Sequence, residues 1–376
     1  MGKRPRDSSA SGSNVRAKLE AGPLQDVVAK LPQNVAKMLA TGGPQVQRNL
    51  EALHDTGIAV TSSYSGLGTF EVAAKALFRT VAKERDLVPK QAVTCYSACD
   101  NSREAQTALQ AHKPETRPRH LFIDLLDRVP GPDLRRLRAE EEKYLTLWQD
   151  TKNEFVSGNI SGEAKMDWHR RLTSQYIFEL HSIFGTVEFL PDAPCLIHGC
   201  RCPVSPRAEE PNTLWFEAAG STCTAFSKMG SQDQWLHPSA LVFFAWLYAM
   251  RYYEPDGIFH ECVGNFPLHI FSDILNSQAE QLKCVYSVDM PKQPGSTDED
   301  NKDEWGIETL LFSPVDLGIP VNRIRRYTYI YKKASFDVMQ PLRFHELFAE
   351  SLKHGAELTL RVNDVCHNIG RQHLTR

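Results

Sequence analysis

The chain predicts an α/β fold: a mainly parallel sheet with helices on both faces, a helical insertion and a shortened C-terminal region. Three observations predict it. Short apolar or β-branched runs alternate with helical spacing over residues 57–127 and again over 213–262; parallel strands need such crossover helices. The early strand-like runs end on glycines or on an acid, as in Gly66-Leu-Gly68, Asp100 and Asp124. With 376 residues and a 41% hydrophobic content, the chain can fill one large domain with insertions, or two domains.

Residues 1–20 are rich in Lys, Arg, Ser and Gly without an apolar period, the composition of a disordered basic tail. Lys3-Arg-Pro-Arg6 within it has the character of a nuclear address, a short pattern that also arises by chance; a cytoplasmic protein is the alternative. Helical spacing follows at 24–40 and 45–54. A strand at 58–64 leads through Gly66-Leu-Gly68 into a helix from Thr69 to about Lys83. A second strand, 92–97, precedes Asp100 and a helix over 101–111, and a third, His120 to Asp124, again ends on an acid.

The alternation then breaks. Residues 131–187 are charged and helical in spacing, interrupted at Gly158-Asn-Ile-Ser-Gly162, which predicts two long helices in a hairpin. Residues 189–212 read as loop. The alternation resumes with a strand at 213–218, a loop carrying Cys223, a helix at 237–253, and strands at 257–262 and 283–288. An acidic run, 296–304, reads as an exposed loop; a last strand, 326–331, and one helix, 341–354, complete the chain. The expected organisation is a tail at 1–20, a domain at 21–335 interrupted by an insertion at 130–210, and an extension at 336–376.

Bulk composition bounds the partners. Lys+Arg 43 against Asp+Glu 46 gives a net charge of −3, so nucleic acid would have to meet a local basic patch. The most apolar run, Leu241 to Met250, is far too short for a bilayer and predicts a buried helix; no membrane partner is expected. No apolar signal core opens the chain. Nine cysteines, an odd count at low density, suit a reducing compartment.

Chemistry-bearing residues cluster at the strand ends. Tyr64-Ser-Gly-Leu-Gly68 lies between a strand and a helix, where glycines admit a ligand to the backbone. In α/β sheets the ligand crevice lies beyond the carboxyl strand edges. Asp100 there is placed to accept hydrogen bonds from ribose hydroxyls, and Asp124 from an adenine amino group; helix capping is the ordinary alternative. Cys223 sits in a loop of small residues, Gly220-Ser-Thr-Cys-Thr-Ala-Phe-Ser227, and Glu261 follows 38 positions later at a strand end. A thiol and a carboxylate so placed suit a nucleophile and an acid/base partner; a core thiol and a structural ion pair are the alternatives. Arg323 and Arg325 alternate at the start of the last strand, so both would face one side. They offer guanidinium forks to a base carbonyl or phosphate, or simply form a basic strand edge. Cys195, His198, Cys200 and Cys202 carry ligand types that suit zinc, although the spacing is tighter than in a zinc ribbon and there is no second pair; no metal is assigned.

Taken in order, these segments resemble the cytosine-5 DNA methyltransferase family, which uses S-adenosyl-methionine. Tyr64-Ser-Gly-Leu-Gly-Thr-Phe-Glu71 is similar to the family's first cofactor motif. Cys99-Asp-Asn-Ser-Arg-Glu-Ala-Gln106 and Phe122-Ile-Asp-Leu125 are similar to its ribose- and adenine-binding segments. Thr222-Cys-Thr-Ala-Phe-Ser227 resembles the nucleophile loop, Glu261-Cys-Val-Gly-Asn-Phe266 the glutamate motif, and Asp316 to Arg325 the arginine motif. The resemblance spans about 57–127 and 213–332 and implies a Rossmann-like methyltransferase sheet. It also implies Tyr64, Ser65, Gly66, Gly68, Asp100 and Asp124 as cofactor residues. Cys223, Glu261, Arg323 and Arg325 become the catalytic set. The implied substrate is DNA; RNA, as in the tRNA-methylating branch, and a non-catalytic regulatory role are the alternatives.

The sequence departs from the family pattern at Thr222 and Thr224, which flank the nucleophile, and at Cys262 and Val321. The family's target-recognition region and final helix motif have no clear counterpart after Arg325; Asn363 to Gly370 matches the latter only faintly. The insertion at 130–210 is expected to serve target recognition or to bind a protein partner.

Overall fold

The computed structural model describes residues 56–84, 93–276, 304–313 and 323–333. The basic tail, the helices expected at 24–40, 45–54 and 341–354, the strand expected at 283–288, nearly all of the acidic run, Val321 and Asn363–Gly370 lie outside the described residues.

Among the described residues, a seven-stranded sheet organises the molecule. Its strands are β1 (Ile58–Ser63), β2 (Val93–Cys99), β3 (His120–Phe122), β6 (Leu214–Gly220), β7 (Gly257–Val263), β8 (Trp305–Phe312) and β9 (Arg325–Lys332), in the order β3-β2-β1-β6-β7-β9-β8. All run parallel except β9, which is antiparallel to both neighbours. Helices α1 (Thr69–Glu84), α2 (Arg103–Gln110), α5 (Ser239–Tyr253) and α6 (His269–Leu275) supply the connections. This is the mainly parallel, helix-flanked α/β sheet of the Rossmann-like class that the sequence predicts.

Strand order fixes where a ligand can enter. From β1 the chain steps outward to β2 and β3, then crosses back and continues through β6 and β7 on the other side. Connections therefore leave the carboxyl ends of β1 and β6 in opposite directions and open a crevice between them.

The apolar run at 241–250 folds into the core, as expected. Within α5, Leu241, Phe244, Trp246, Leu247 and Met250 are fully buried, so the helix is packed on all sides. Two indoles satisfy a polar group in that core. Trp246 Nε1 donates to Glu217 Oε1 at 3.1 Å, and Trp215 Nε1 donates to Thr61 Oγ1 at 2.7 Å. The Thr61 hydroxyl in turn donates to the other Glu217 oxygen. The buried carboxylate thereby ties β1, β6 and α5 together.

Two long helices, α3 (Gly131–Val156) and α4 (Gly162–Phe184), follow β3; the Ser161 side chain caps α4 at the Ala164 amide. The stretch 189–212, read from sequence as loop, instead contains an antiparallel pair, β4 (Asp192–Pro194) and β5 (Arg201–Pro203). It docks on the sheet edge: Cys195 bridges Phe122, and the Leu196 amide donates to Leu121 O at 2.8 Å. Edge strand β3 offers unpaired backbone groups, and covering them gives the hairpin its structure. Strand β8 was not expected from sequence. It carries no turn signal of its own and is stabilised by non-local pairing with β9.

Candidate active site

The crevice at the switch point is a cleft of about 510 Å³ lined by residues that include Tyr64, Asp100, Asp124, Arg138, Gly220 and Thr222. That size suits a nucleoside-sized ligand. Gly66, at φ +55°, has nothing within 4 Å of where a Cβ would sit, so the backbone is open there. Gly68, at φ +73°, is confined instead: a Cβ would lie 2.5 Å from the His112 ring. Ser65 anchors the turn, accepting from the Cys99 amide at 3.0 Å and donating to Cys99 O at 3.1 Å. Tyr64 holds a left-handed φ of 55° and has a buried hydroxyl without a hydrogen-bond partner among the described residues. Burial, with neighbouring Cys99 and Asp124, raises its pKa well above the usual phenol value.

Both acids line the cleft, and both also cap. Asp100 accepts from the Gly66 amide at 2.8 Å through Oδ2 and from the Ser102 amide at 2.9 Å through Oδ1. Asp124 caps the short turn Leu125–Arg128, accepting from the Leu126 amide at 2.9 Å through Oδ1. The capping alternative is thus present, and it fixes the carboxylates rather than consuming them, since each oxygen has two lone pairs.

The second half of the site lies beyond β6 and β7. Gly220 pairs with Glu261 across these strands, and a Cβ on Gly220 would lie 3.7 Å from Glu261 Oε2. Glu261 forms an ion pair with Arg325 at 2.9 Å; their side chains are 34% and 14% exposed, so the pair is reachable from solvent. Arg325 opens β9, opposite Val263. Arg323 corrects the sequence expectation. It precedes β9, is exposed, and its amide donates to Ser313 Oγ at 2.8 Å, so strand alternation does not set its direction.

Cys223 is half-buried at the start of a tight turn, its carbonyl accepting from the Phe226 and Ser227 amides at 3.0 and 2.8 Å. Phe226 wedges between Trp235 and Phe266, at ring distances of 4.8 and 5.1 Å. Below the loop, Ser221 Oγ lies 2.7 Å from His260 Nε2. Burial pushes His260 down to about 3, so the ring is neutral at ordinary pH. Cys262, where the resembled family has asparagine, is buried; burial first, then Cys223 and Glu261, push its thiol up to about 11.

Six contributors escaped the sequence reading. Gly230 closes the Cys223 turn: a Cβ there would fall 1.8 Å from the Thr224 carbonyl oxygen. Asp233, just beyond, accepts from Trp148 Nε1 at 2.7 Å and pairs with Lys152 at 3.4 Å, while His169 Nε2 lies 3.2 Å from its carbonyl. Burial works against ionisation of Asp233, but the hydrogen bonds and Lys152 outweigh it and lower its pKa. Helices α3 and α4 therefore brace the thiol loop. Arg138 of α3 lines the cleft and pairs with Glu141 at 2.6 Å. Pro238, Ser239 and Val242 line it too, and only the fold brings them there.

No family model matches the chain, and no curated protein matches its sequence. Among solved structures it is similar to an E. coli prophage-encoded putative DNA modification methyltransferase, at 13% identity and a TM-score of 0.32, covering 75% of this chain and 49% of that one. A variant of Spodoptera frugiperda DNMT2 gives 12% identity and 0.31, covering 76% and 53%. The S. pombe Dnmt2 methyltransferase gives 11% and 0.30, covering 75% and 51%. The chain spans about half the length of these structures.

Proposed function

We propose that the protein is a DNA (cytosine-5) methyltransferase dependent on S-adenosyl-methionine, acting through a covalent Cys223 adduct. The observation that carries this reading is the Glu261–Arg325 pair, 2.9 Å apart, on strands adjoining the Cys223 loop and the crevice. The carbonyl, ring nitrogen 3 and amino group of cytosine are consecutive on one edge. Neutral cytosine presents an acceptor, an acceptor and a donor along it, so Arg325 donates to the carbonyl, while the Glu261 carboxyl shares a proton with nitrogen 3 and accepts from the amino group.

The cleft residues fit the cofactor. Asp100 and Asp124 retain lone pairs for ribose hydroxyls and an adenine amino group, and the open backbone at Gly66 gives room for close approach. When bound, S-adenosyl-methionine supplies an electrophilic methyl group. The target base leaves its stack to be reached. The Cys223 thiolate adds to carbon 6, forming the S–C bond as electron density moves to carbon 5. Glu261 holds nitrogen 3 and the amino group, and Arg325 the carbonyl, so charge on the ring is stabilised. Once carbon 5 carried the methyl group, its proton would pass to solvent water, the C–H electron pair would re-form the 5,6 double bond, and the thiolate of Cys223 would leave carbon 6.

The test uses full-length protein, labelled S-adenosyl-methionine and either DNA or tRNA containing 5-fluorocytosine, whose fluorine cannot leave as a proton. A covalent complex with DNA that is absent in Cys223→Ala is the expected outcome. A complex with tRNA alone moves the substrate to RNA. No complex on either, with cofactor binding intact, replaces catalysis by a binding or regulatory role.

A further inference from the structure

His120, Cys195, His198 and Cys202 each present one donor atom, and these atoms all lie within 4.8 Å of one another. His120 belongs to edge strand β3; the other three flank the turn and second strand of the β4–β5 hairpin. We propose that these four residues form a structural zinc site that clamps the hairpin to the edge of the main sheet.

Two of the donor separations match the ion. Zinc holds sulfur at about 2.3 Å and imidazole nitrogen at about 2.0–2.1 Å, so a sulfur–nitrogen edge of the tetrahedron is about 3.6 Å. His198 Nδ1 lies 3.5 Å from Cys195 Sγ and 3.3 Å from Cys202 Sγ. Two thiolates and two neutral imidazoles cancel the +2 charge, which suits a site where three of the four residues are buried. The fourth donor is not held by a hydrogen bond: both ring nitrogens of His120 are buried without a hydrogen-bond partner among the described residues, although Nε2 faces a carboxylate. An unpaired buried imidazole is costly unless something else satisfies it. The Glu209 carboxylate, 3.6 Å from His120 Nε2, stands where an acid can orient a metal-bound ring. On binding, each thiol gives up its proton to solvent and each sulfur donates an electron pair to the metal.

The ligand set differs from the linear pattern Cys195, His198, Cys200, Cys202. Cys200 is exposed and lies outside the cluster, and its place is taken by a residue some 75 positions upstream of Cys195. That substitution turns a local knuckle into a cross-link between the insertion and the strand that leads to Asp124. The site has no catalytic opening, since the protein supplies all four ligands.

Metal analysis of the purified full-length protein, with zinc added if the preparation lacks it, is expected to give one tightly bound zinc per chain. Cys195→Ser and His120→Ala should weaken zinc binding by at least tenfold, while Cys200→Ser should keep it. Cobalt(II) replacing zinc in the unaltered protein provides a readout that does not depend on variants folding: tetrahedral bands with the charge-transfer intensity of two thiolates are expected. Chelation should expose residues 192–203 to proteolysis. A folded wild-type protein that takes up neither metal overturns the proposal. So does a cobalt spectrum of three thiolates, or loss of metal in Cys200→Ser with retention in His120→Ala.

Discussion

At the scale of single residues, the thiol loop depends on a glycine whose side-chain space is already filled by main chain. A methyl group at Gly230 would meet the Thr224 carbonyl oxygen at 1.8 Å, and backbone cannot yield as a flexible side chain does. Gly230→Ala should therefore displace the turn that presents Cys223. We expect the rate of adduct formation on 5-fluorocytosine substrate to fall at least tenfold, with little change in melting temperature, because the loop lies at the surface. Adduct formation at the wild-type rate would show that the turn tolerates the shift. The same scale shows what was legible in the sequence. Cys223, Glu261, Arg325, Asp100 and Asp124 each lie in a short motif at a strand end, where chain order and local pattern suffice. Gly230, Arg138 and His120 lie in segments whose local pattern is ordinary: a polar loop, a charged helix and an apolar strand. Their roles come from contacts across more than five residues of sequence, and no periodicity encodes those. Arg323 was misplaced because it precedes the strand, which begins at Arg325, so the alternation read for the two arginines applies to Arg325 alone.

At the scale of elements, β7 and α4 each bury a neutral histidine. His260 is caged by Phe243, Trp246, Phe266 and Phe271, with ring distances of 5.0–6.0 Å, and bonds Ser221. His181 bonds the Tyr248 hydroxyl between α4 and α5. Burial pushes both down to about 3. An unfolded imidazole titrates near 6.5, so between about pH 6.5 and 3 the unfolded chain takes up protons that the folded chain refuses. The stabilisation is complete above about pH 6.5 and is lost as pH falls toward 3, by up to about 1.4 kcal/mol per pH unit for each histidine. Urea unfolding of wild type and His260→Gln at pH 7 and pH 4.5 checks this. The variant, which keeps a partner for Ser221, should lose less stability on acidification, by roughly one proton's worth. Equal losses would mean that His260 is protonated in the folded state.

At the scale of the whole molecule, the cleft joins parts of the chain that are far apart. Tyr64 and Asp100 come from the first half of the sheet, Gly220 and Thr222 from the second, and Arg138 from the insertion. A ligand held there adds contacts that only the folded chain offers. S-adenosyl-methionine at about 100 times its Kd should stabilise the protein by about 2.7 kcal/mol, read as a rise in melting temperature. If Asp100 accepts from the ribose as proposed, Asp100→Ala removes that acceptor and also frees the Gly66 amide, so the Kd for the cofactor should rise by at least about tenfold. An unchanged shift in that variant would place the cofactor elsewhere. The overall sheet was readable because strands and crossover helices each carry a local period. The β4–β5 hairpin and β8 were not, because each is defined by the strand it lies against.

The reversed direction of β9 carries one more consequence. Strands β8 and β9 meet at the rim where the other strands end, and Ser313 and Arg323 close that junction with a hydrogen bond of 2.8 Å. Both ends of the connection are therefore held by the strands they leave, and the register of β8 on β9 is set by their own pairing from Trp305 opposite Lys332 to Phe312 opposite Arg325. Arg325, the last residue of that register, is thereby fixed against β8 as well as β7, so the partner of Glu261 is held from two sides.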